Sequence, residues 1–540
     1  MMKWSSRVIG VLAVMAGLLP LESRANYSDV KRAYDGGQYF TAARIAFNDA
    51  NRTSSAAERA MAYAWVTESL ARAGLDQSAL YFFIRTLQFQ DRIASKKVLD
   101  LAPIFMDRAG TDFMKKFLLK YTRPDDYSQM ARSAFHLAIA KDKLSSGDYA
   151  GAEQSAAQVD PRSPLYSLSL QLKGTSELMV NQSREALMDF ESCEGLAEQR
   201  NATELGSFEA QLRKEQPSAL AAKWDALRKD AARDLKARCI ANQARVLYET
   251  GQFEDADRKY DLIPKSSFVW TDTLFEHAWN TYAKEEYNRT LGKLVSYKSP
   301  SLQFAFNSEV DVLMAQSYMA LCLYSDAGRI IDDFNRRLGT LAKDVKKFVE
   351  LNPATDARPY FALGRRALQD KLHTEIPMHR FLNRFVRSPY FQSLSLSQDR
   401  VLAEKIAIQR LDALRPETRT GTAAGFPGFL NAALDWRVRT IQLLGGIFVR
   451  NSMIDYHQIL ISDLEKMQFM KIDILSHEKE KLMQPEVATS SERGRGNRIP
   501  VRRDDQLLWT FNGEFWNDEI GDYVFALESE CGKGSAGEGL

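Results

Sequence analysis

Proline is scarce, at 16 of 540 residues, and neither charge sign is in excess, with 72 Lys and Arg against 70 Asp and Glu. The lack of a basic surplus excludes a chain built to wrap nucleic acid, and the lack of an acidic one excludes a disordered solvating chain. Scarce Pro with abundant Ala and Leu favours helix over sheet. After the N-terminus no apolar run approaches the roughly 18 residues of a membrane span; the best is Ile441–Val449. Cys is rare too, and Cys193, Cys239, Cys322 and Cys531 lie too far apart for a metal cluster.

Catalytic signatures are missing. The six His form no His-Glu-x-x-His; His373 and His379 are spaced poorly for one helix face, and His477-Glu478 has no second His. His136, His277 and His457 are isolated. There is no Gly-x-Ser-x-Gly elbow, Walker loop or dinucleotide fingerprint. The expectation is therefore no catalytic residue, no cofactor and no metal site. The length exceeds one compact core and implies roughly two to four domains or a repeat array.

The first 25 residues read as a leader. Lys3 and Arg7 precede the apolar run Val8–Leu19, Pro20 breaks it, and Ser23-Arg24-Ala25 sets small residues for a cut after Ala25. The run is too short to span a bilayer, so a periplasmic or secreted protein without a membrane span is expected. With export, four Cys fit up to two disulfides. A Cys193–Cys239 bridge between adjacent repeats and a tether at Cys531 are the pairings considered, with unpaired buried thiols equally open for the first three Cys.

From 26 to 340 a helix pair recurs. Tyr34-Asp-Gly-Gly-Gln-Tyr39 leads into Ala42, Ala43 and Phe47; Leu70–Gly74 into Ala79 and Phe83; Leu144–Tyr149 into Ala152 and Ala156. Gly174 and Leu178 precede Ala186 and Phe190, and Tyr248–Phe253 precedes Ala256 and Tyr260. Tyr282–Tyr287 leads into Leu291 and Leu294, and Tyr318–Tyr324 into Ala327 and Ile331. Small residues let two antiparallel helices approach, Gly or Asp ends the first, and an aromatic fills the gap to the next pair. A single pair cannot bury its apolar face, so pairs must stack. These segments resemble tetratricopeptide repeats, Tyr248–Tyr260 most cleanly, with irregular spacing and extra residues near 90–125, 195–235 and 296–307. The resemblance implies a helical solenoid whose groove binds protein partners. Tyr39, Phe83, Tyr149, Phe253 and Tyr287 read as core spacers.

Residues 341–484 form a long-helix region. Met453, Leu460, Met467 and Ile474 are seven apart, with Ile447, Ile454, Ile461 and Leu475 as a neighbouring column. A face this broad suits a helical bundle better than a two-stranded coiled coil, as a hairpin against Ser397–Leu414. Gly445-Gly446 predicts a kink. Residues 485–503, with five Arg, two Gly and two Pro, read as a flexible linker.

Residues 504–540 are an acidic aromatic coda with nine acids against one Lys. Trp516, Ile520, Tyr523, Val524 and Leu527 recur at helical spacing, predicting a short C-terminal helix capped at Asn512. Trp509, Phe511, Glu514, Trp516, Asp518, Glu519 and Tyr523 are its candidate docking residues, onto the chain's own helices in the favoured reading. The run from Trp509 to Cys531, with Phe275–Trp279, Ser299-Pro300 and Tyr324, resembles large exported repeat proteins of deltaproteobacterial predators and gliders, some from gliding-motility machinery. That resemblance implies a non-enzymatic envelope scaffold. The alternative is cell-wall or polysaccharide machinery, a lytic-transglycosylase-like enzyme or its adaptor, although the Glu191-Ser192 dipeptide falls inside a repeat.

Overall fold

The computed structural model describes residues 27–109, 111–163, 165–197, 218–370, 377–414, 425–483, 511, 513–516 and 518–531. The predicted leader, the linker 485–503, His373, Trp509 and Asn512 lie outside them. The fold is all-α, with 21 α-helices and no strand among the described residues. Val98 and Leu99 divide the chain into two compact units.

The first unit contains α1 (Tyr27–Asp35), α2 (Tyr39–Arg52), α3 (Ala56–Arg72), α4 (Asp76–Gln88) and nearly all of α5 (Arg92–Leu99). The second continues with α6 (Ala102–Ala109), α7 (Thr111–Tyr121), α8 (Gln129–Ser146), α9 (Tyr149–Ala156), α10 (Tyr166–Met179) and α11 (Ser183–Leu196). There follow α12 (Ser218–Glu249), α13 (Phe253–Asp261), α14 (Trp270–Ala283), α15 (Tyr287–Val295), α16 (Glu309–Ala320) and α17 (Tyr324–Leu351). The last four are α18 (Arg358–Gln369), α19 (Pro377–Val386), α20 (Pro389–Leu414) and α21 (Phe426–Met483).

All seven turns expected from the recurring pattern are present, and they share one geometry. Each places one residue in the left-handed region, two positions before the second helix: Gly37, Gly74, Gly147, Asn181, Gly251, Glu285 and Cys322, with φ between 59° and 82°. The next backbone N–H reaches back to the first helix, as in Gln38 N to Ala33 O (2.8 Å), Gln252 N to Leu247 O (2.8 Å) and Leu323 N to Tyr318 O (2.9 Å). This bond satisfies carbonyls that a helix end otherwise leaves bare. Gly takes the position without strain, whereas a side chain there costs about 1 kcal/mol.

Packing repeats as well. Three positions into the second helix stand Ala42, Ala79, Ala152, Ala186, Ala256, Thr290 and Ala327, all fully buried. Seven positions in stand Ala46, Phe83, Ala156, Phe190, Tyr260, Leu294 and Ile331, also buried. Gly174 lets α10 approach α11, because a Cβ there would lie 2.8 Å from the Phe190 ring. The aromatic that opens the second helix rests on one from the first: Tyr34 with Tyr39 at 5.3 Å, Tyr248 with Phe253 at 5.6 Å, Tyr282 with Tyr287 at 5.3 Å.

The expected boundary at 340 falls inside α17, which runs unbroken from the last repeat turn into the long-helix region. There α21 packs against α17, α18 and α20, including the expected Ser397–Leu414 partner. Met453, Leu460, Met467 and Ile474 are buried as a stripe. The neighbouring column is not part of it: Ile447, Ile461 and Leu475 are exposed. The stripe widens on its other flank, through Val449, Asp463 and Met470, because that side meets the partner helices. Helix runs unbroken through Gly445 and Gly446, where a kink was expected. Close approach explains both glycines: Cβ atoms would lie 2.5 Å from the Phe361 ring and 2.0 Å from Ala357 O.

Candidate functional site

The coda folds back on α14–α16. The predicted helix does not form: 518–522 are turns and most of 523–530 lacks helical pairing. Its backbone groups bond across the interface instead. Gly521 N donates to Ser296 Oγ (2.8 Å), Phe525 N to Asn288 O (3.0 Å) and Glu530 N to Leu321 O (2.9 Å). Asn288 clamps Leu527 from both sides, its Nδ2 donating to Leu527 O (3.0 Å) and its Oδ1 accepting from Leu527 N (2.9 Å). Gly521, at φ 94°, lets the turn sit against Trp270. A helical period in the sequence was outweighed by a docking site that spends the same N–H groups elsewhere.

Apolar burial accompanies these bonds. Ile520 and Tyr523 are buried with Trp270, Leu274, Leu291 and Leu294, while Phe511, Phe515, Phe525 and Leu527 pack at the margin. Phe511 and Phe515 meet the Tyr523 ring edge-on at 5.4 and 5.9 Å. The fit is tight at Gly292, where a Cβ would lie 1.6 Å from Tyr523 O. Cys531 closes the segment through a disulfide to Cys322, the left-handed residue of the last repeat turn. The second disulfide joins Cys193 of α11 to Cys239 of α12, both fully buried.

Charge contributes an ion pair across this interface, in which Lys265 Nζ lies 3.1 Å from Asp522 Oδ2 and also donates to Asp518 O (3.1 Å). Both side chains are about half exposed, so the pair is worth under about 1 kcal/mol. Beneath the coda sits a buried polar knot. Asp257 accepts from His277 Nε2 (2.9 Å), Asn280 Nδ2 (2.6 Å), Lys284 Nζ (2.8 Å) and Arg289 Nη1 (3.3 Å). Burial pushes its carboxyl up, but the bonds from His277 and Lys284 and the Arg289 charge hold it well below the usual carboxylate range. Burial, helped by the Lys293 ammonium, pushes the His277 imidazole down against the pull of Asp257. Burial likewise lowers Lys293, opposed by Asp261 and Asp522.

The coda residues expected to dock divide into two sets. Tyr523 and Phe511 face the helices, whereas Glu514, Trp516, Asp518 and Glu519 are exposed. Trp516 stands out, since the residue is 60% exposed while its backbone is hydrogen-bonded to Tyr523. Trp516 N donates to Tyr523 Oη (2.6 Å), and Tyr523 Oη donates to Trp516 O (3.1 Å). The result is an apolar anchor on a rigid mount among three acids. Chemically it can bind.

Asn288, Gly292, Ser296, Lys265 and Cys322 were not picked out by sequence as coda contacts. Gly292 did carry a signal. Five positions into the second helix the other pairs have Arg44, Tyr81, Gln154, Met188, Arg258 and Arg329, and only this pair has Gly. Of the histidines, His277 bonds Asp257, His379 bonds Asp370 (2.9 Å), His457 bonds Ala342 O (3.1 Å), and His477 stacks on Tyr324. Glu191 is exposed in mid-α11. Among the described residues no cluster of His, Cys, Asp and Glu is arranged to hold a metal ion, and no helix is long and apolar enough to cross a membrane. No family model and no curated protein matches the chain.

Proposed function

We propose that the protein is a non-enzymatic scaffold of the cell envelope, built from tetratricopeptide-like helix pairs, which holds protein partners on its clasped coda. The observation that carries this reading is Trp516, exposed on a backbone that Tyr523 and the Cys322–Cys531 disulfide fix in place. Interface energy concentrates in such rigid aromatic anchors, which lose little entropy on binding. Glu514, Asp518 and Glu519 around it select a partner with an apolar pocket rimmed by Lys and Arg. Two disulfides suit a non-reducing compartment, in keeping with the leader expected at 1–25. The resemblance to exported repeat proteins of predators and gliders supports an envelope assembly, with gliding motility as the specific machine to test.

The test uses the oxidised full chain as bait in envelope extract of its host, beside Trp516→Ala. A discrete partner should be recovered by the wild type and lost at least tenfold by the variant, a truncation cost of about 1.4 kcal/mol or more. Release of soluble fragments from peptidoglycan by the purified protein would instead make it an enzyme and end the scaffold reading.

A further inference from the structure

One face of α21 is apolar and uncovered among the described residues. Leu443, Ile447, Ile461, Ile472 and Leu475 are each between 38% and 59% exposed, and Ile454 among them is half-buried. Their separations of 3, 4, 7 and 11 positions keep them on one side of a straight helix. They form a stripe roughly 48 Å long at about 1.5 Å per residue. It is turned away from the buried stripe of Met453, Leu460, Met467 and Ile474, so the helices of its own chain leave it bare. An apolar face of this length marks an interaction surface.

The face is complementary to itself when reversed. Turned antiparallel about a point between His457 and Gln458, its positions meet positions of the same stripe on a second helix. Ile454 then meets Ile461, Leu443 meets Ile472 and Ile447 meets Gln468, each pair occurring twice by symmetry. Arg450 meets Glu465, opposite in sign, whereas a parallel pairing in register would set Arg450 on Arg450 and Glu465 on Glu465. Arg450 also interacts with Tyr360 of its own chain. Its charge therefore sets orientation, and the apolar pairs carry the contact. We propose that α21 docks antiparallel on α21 of a second copy of this chain, through the stripe from Leu443 to Leu475. A two-fold axis beside Gln458 relates the copies, so the contact closes as a dimer and does not propagate.

Light scattering on the oxidised full chain at micromolar concentration tests this, and the mass should be twice that of one chain. Ile461→Glu, at an exposed position, should keep the helix content and raise the dimer dissociation constant at least about a hundredfold, because symmetry buries the new charge twice. Cross-linking reads the register. Chains carrying Ile454→Cys, mixed with chains carrying Ile461→Cys and oxidised, should yield disulfide peptides joining position 454 of one copy to position 461 of the other. Helix content of each variant is recorded alongside. A monomeric wild type, a dimer indifferent to Ile461→Glu, or links joining 454 to 454 in place of 454 to 461 would overturn the assignment.

Discussion

Asn288 holds Leu527 by both of its backbone groups, at 3.0 and 2.9 Å, across 239 residues of chain. A side-chain amide that both donates to and accepts from the backbone of one residue copies the pairing of a strand, and it fixes the coda's register on α15. Asn288→Ala should cost the docked segment about 1–3 kcal/mol, two net hydrogen bonds, and Gly292→Ala should cost more because its Cβ collides with Tyr523 O. Limited proteolysis should then cut within 511–531 faster in both variants. Asp522→Asn removes the exposed Lys265 pair and a longer-range pull on Lys293, and should change the cleavage rate less than either.

The two disulfides differ in access. Cys193 and Cys239 are fully buried, while Cys531 is exposed beside half-buried Cys322. Under mild reductant, native-state alkylation should label Cys322 and Cys531 first and leave the buried pair protected. Cys531→Ser should lower stability by about 2–5 kcal/mol, since the bridge closes a long loop in the unfolded chain. Thermal unfolding with and without the substitution checks it.

Glu177 on α10 shares Lys173 with Asp189, at 2.9 and 2.7 Å. Burial raises its carboxyl to about 7, Asp189 adding to the rise and Lys173 opposing it. Its unfolded value is near 4.3, so the folded state holds the proton through a window where the unfolded chain has lost it. This contribution is present below about pH 4.3 and is lost as pH rises to about 7. Glu177→Gln keeps the neutral form, so its Tm should exceed the wild type near pH 8, with the gap closing toward about pH 4.

His277 works in the opposite direction. Buried and lowered, it stays neutral where the unfolded chain takes up a proton, so stability is full above about pH 6.5 and falls as pH drops below that value. Asp257, held low by its partners, adds a second loss as pH falls below about 4. His277→Gln should flatten the dependence of Tm on pH between about 6.5 and 5 and leave the more acidic limb in place.

The repeat turns were legible because each is local: a left-handed residue, a backward N–H bond and a small residue three positions into the next helix all fall within a dozen positions. Even degenerate cases such as Glu285 and Cys322 kept the geometry, because the helices on either side impose it. The coda's conformation was not legible. Trp516, Ile520, Tyr523 and Leu527 have a helical period, yet the N–H groups of Gly521, Phe525, Leu527 and Glu530 bond to Ser296, Asn288 and Leu321, more than 200 residues away in sequence. The reason for Gly445-Gly446 was not legible either, since Phe361 and Ala357, whose close approach needs both glycines, are distant in sequence. Cys531 invited a tether, but which Cys received it depended on the last repeat turn lying beside the coda.

Partner binding at Trp516 requires the coda to be clasped to its own chain with Trp516 outward. The direct measurement is disulfide mapping by mass spectrometry on protein refolded and oxidised from an equal mixture of ordinary and nitrogen-15-labelled chains. Cys322–Cys531 and Cys193–Cys239 peptides should be recovered, each joining halves of the same isotope. Mixed-isotope Cys322–Cys531 peptides, or Cys531 recovered as a free thiol, would contradict the clasp.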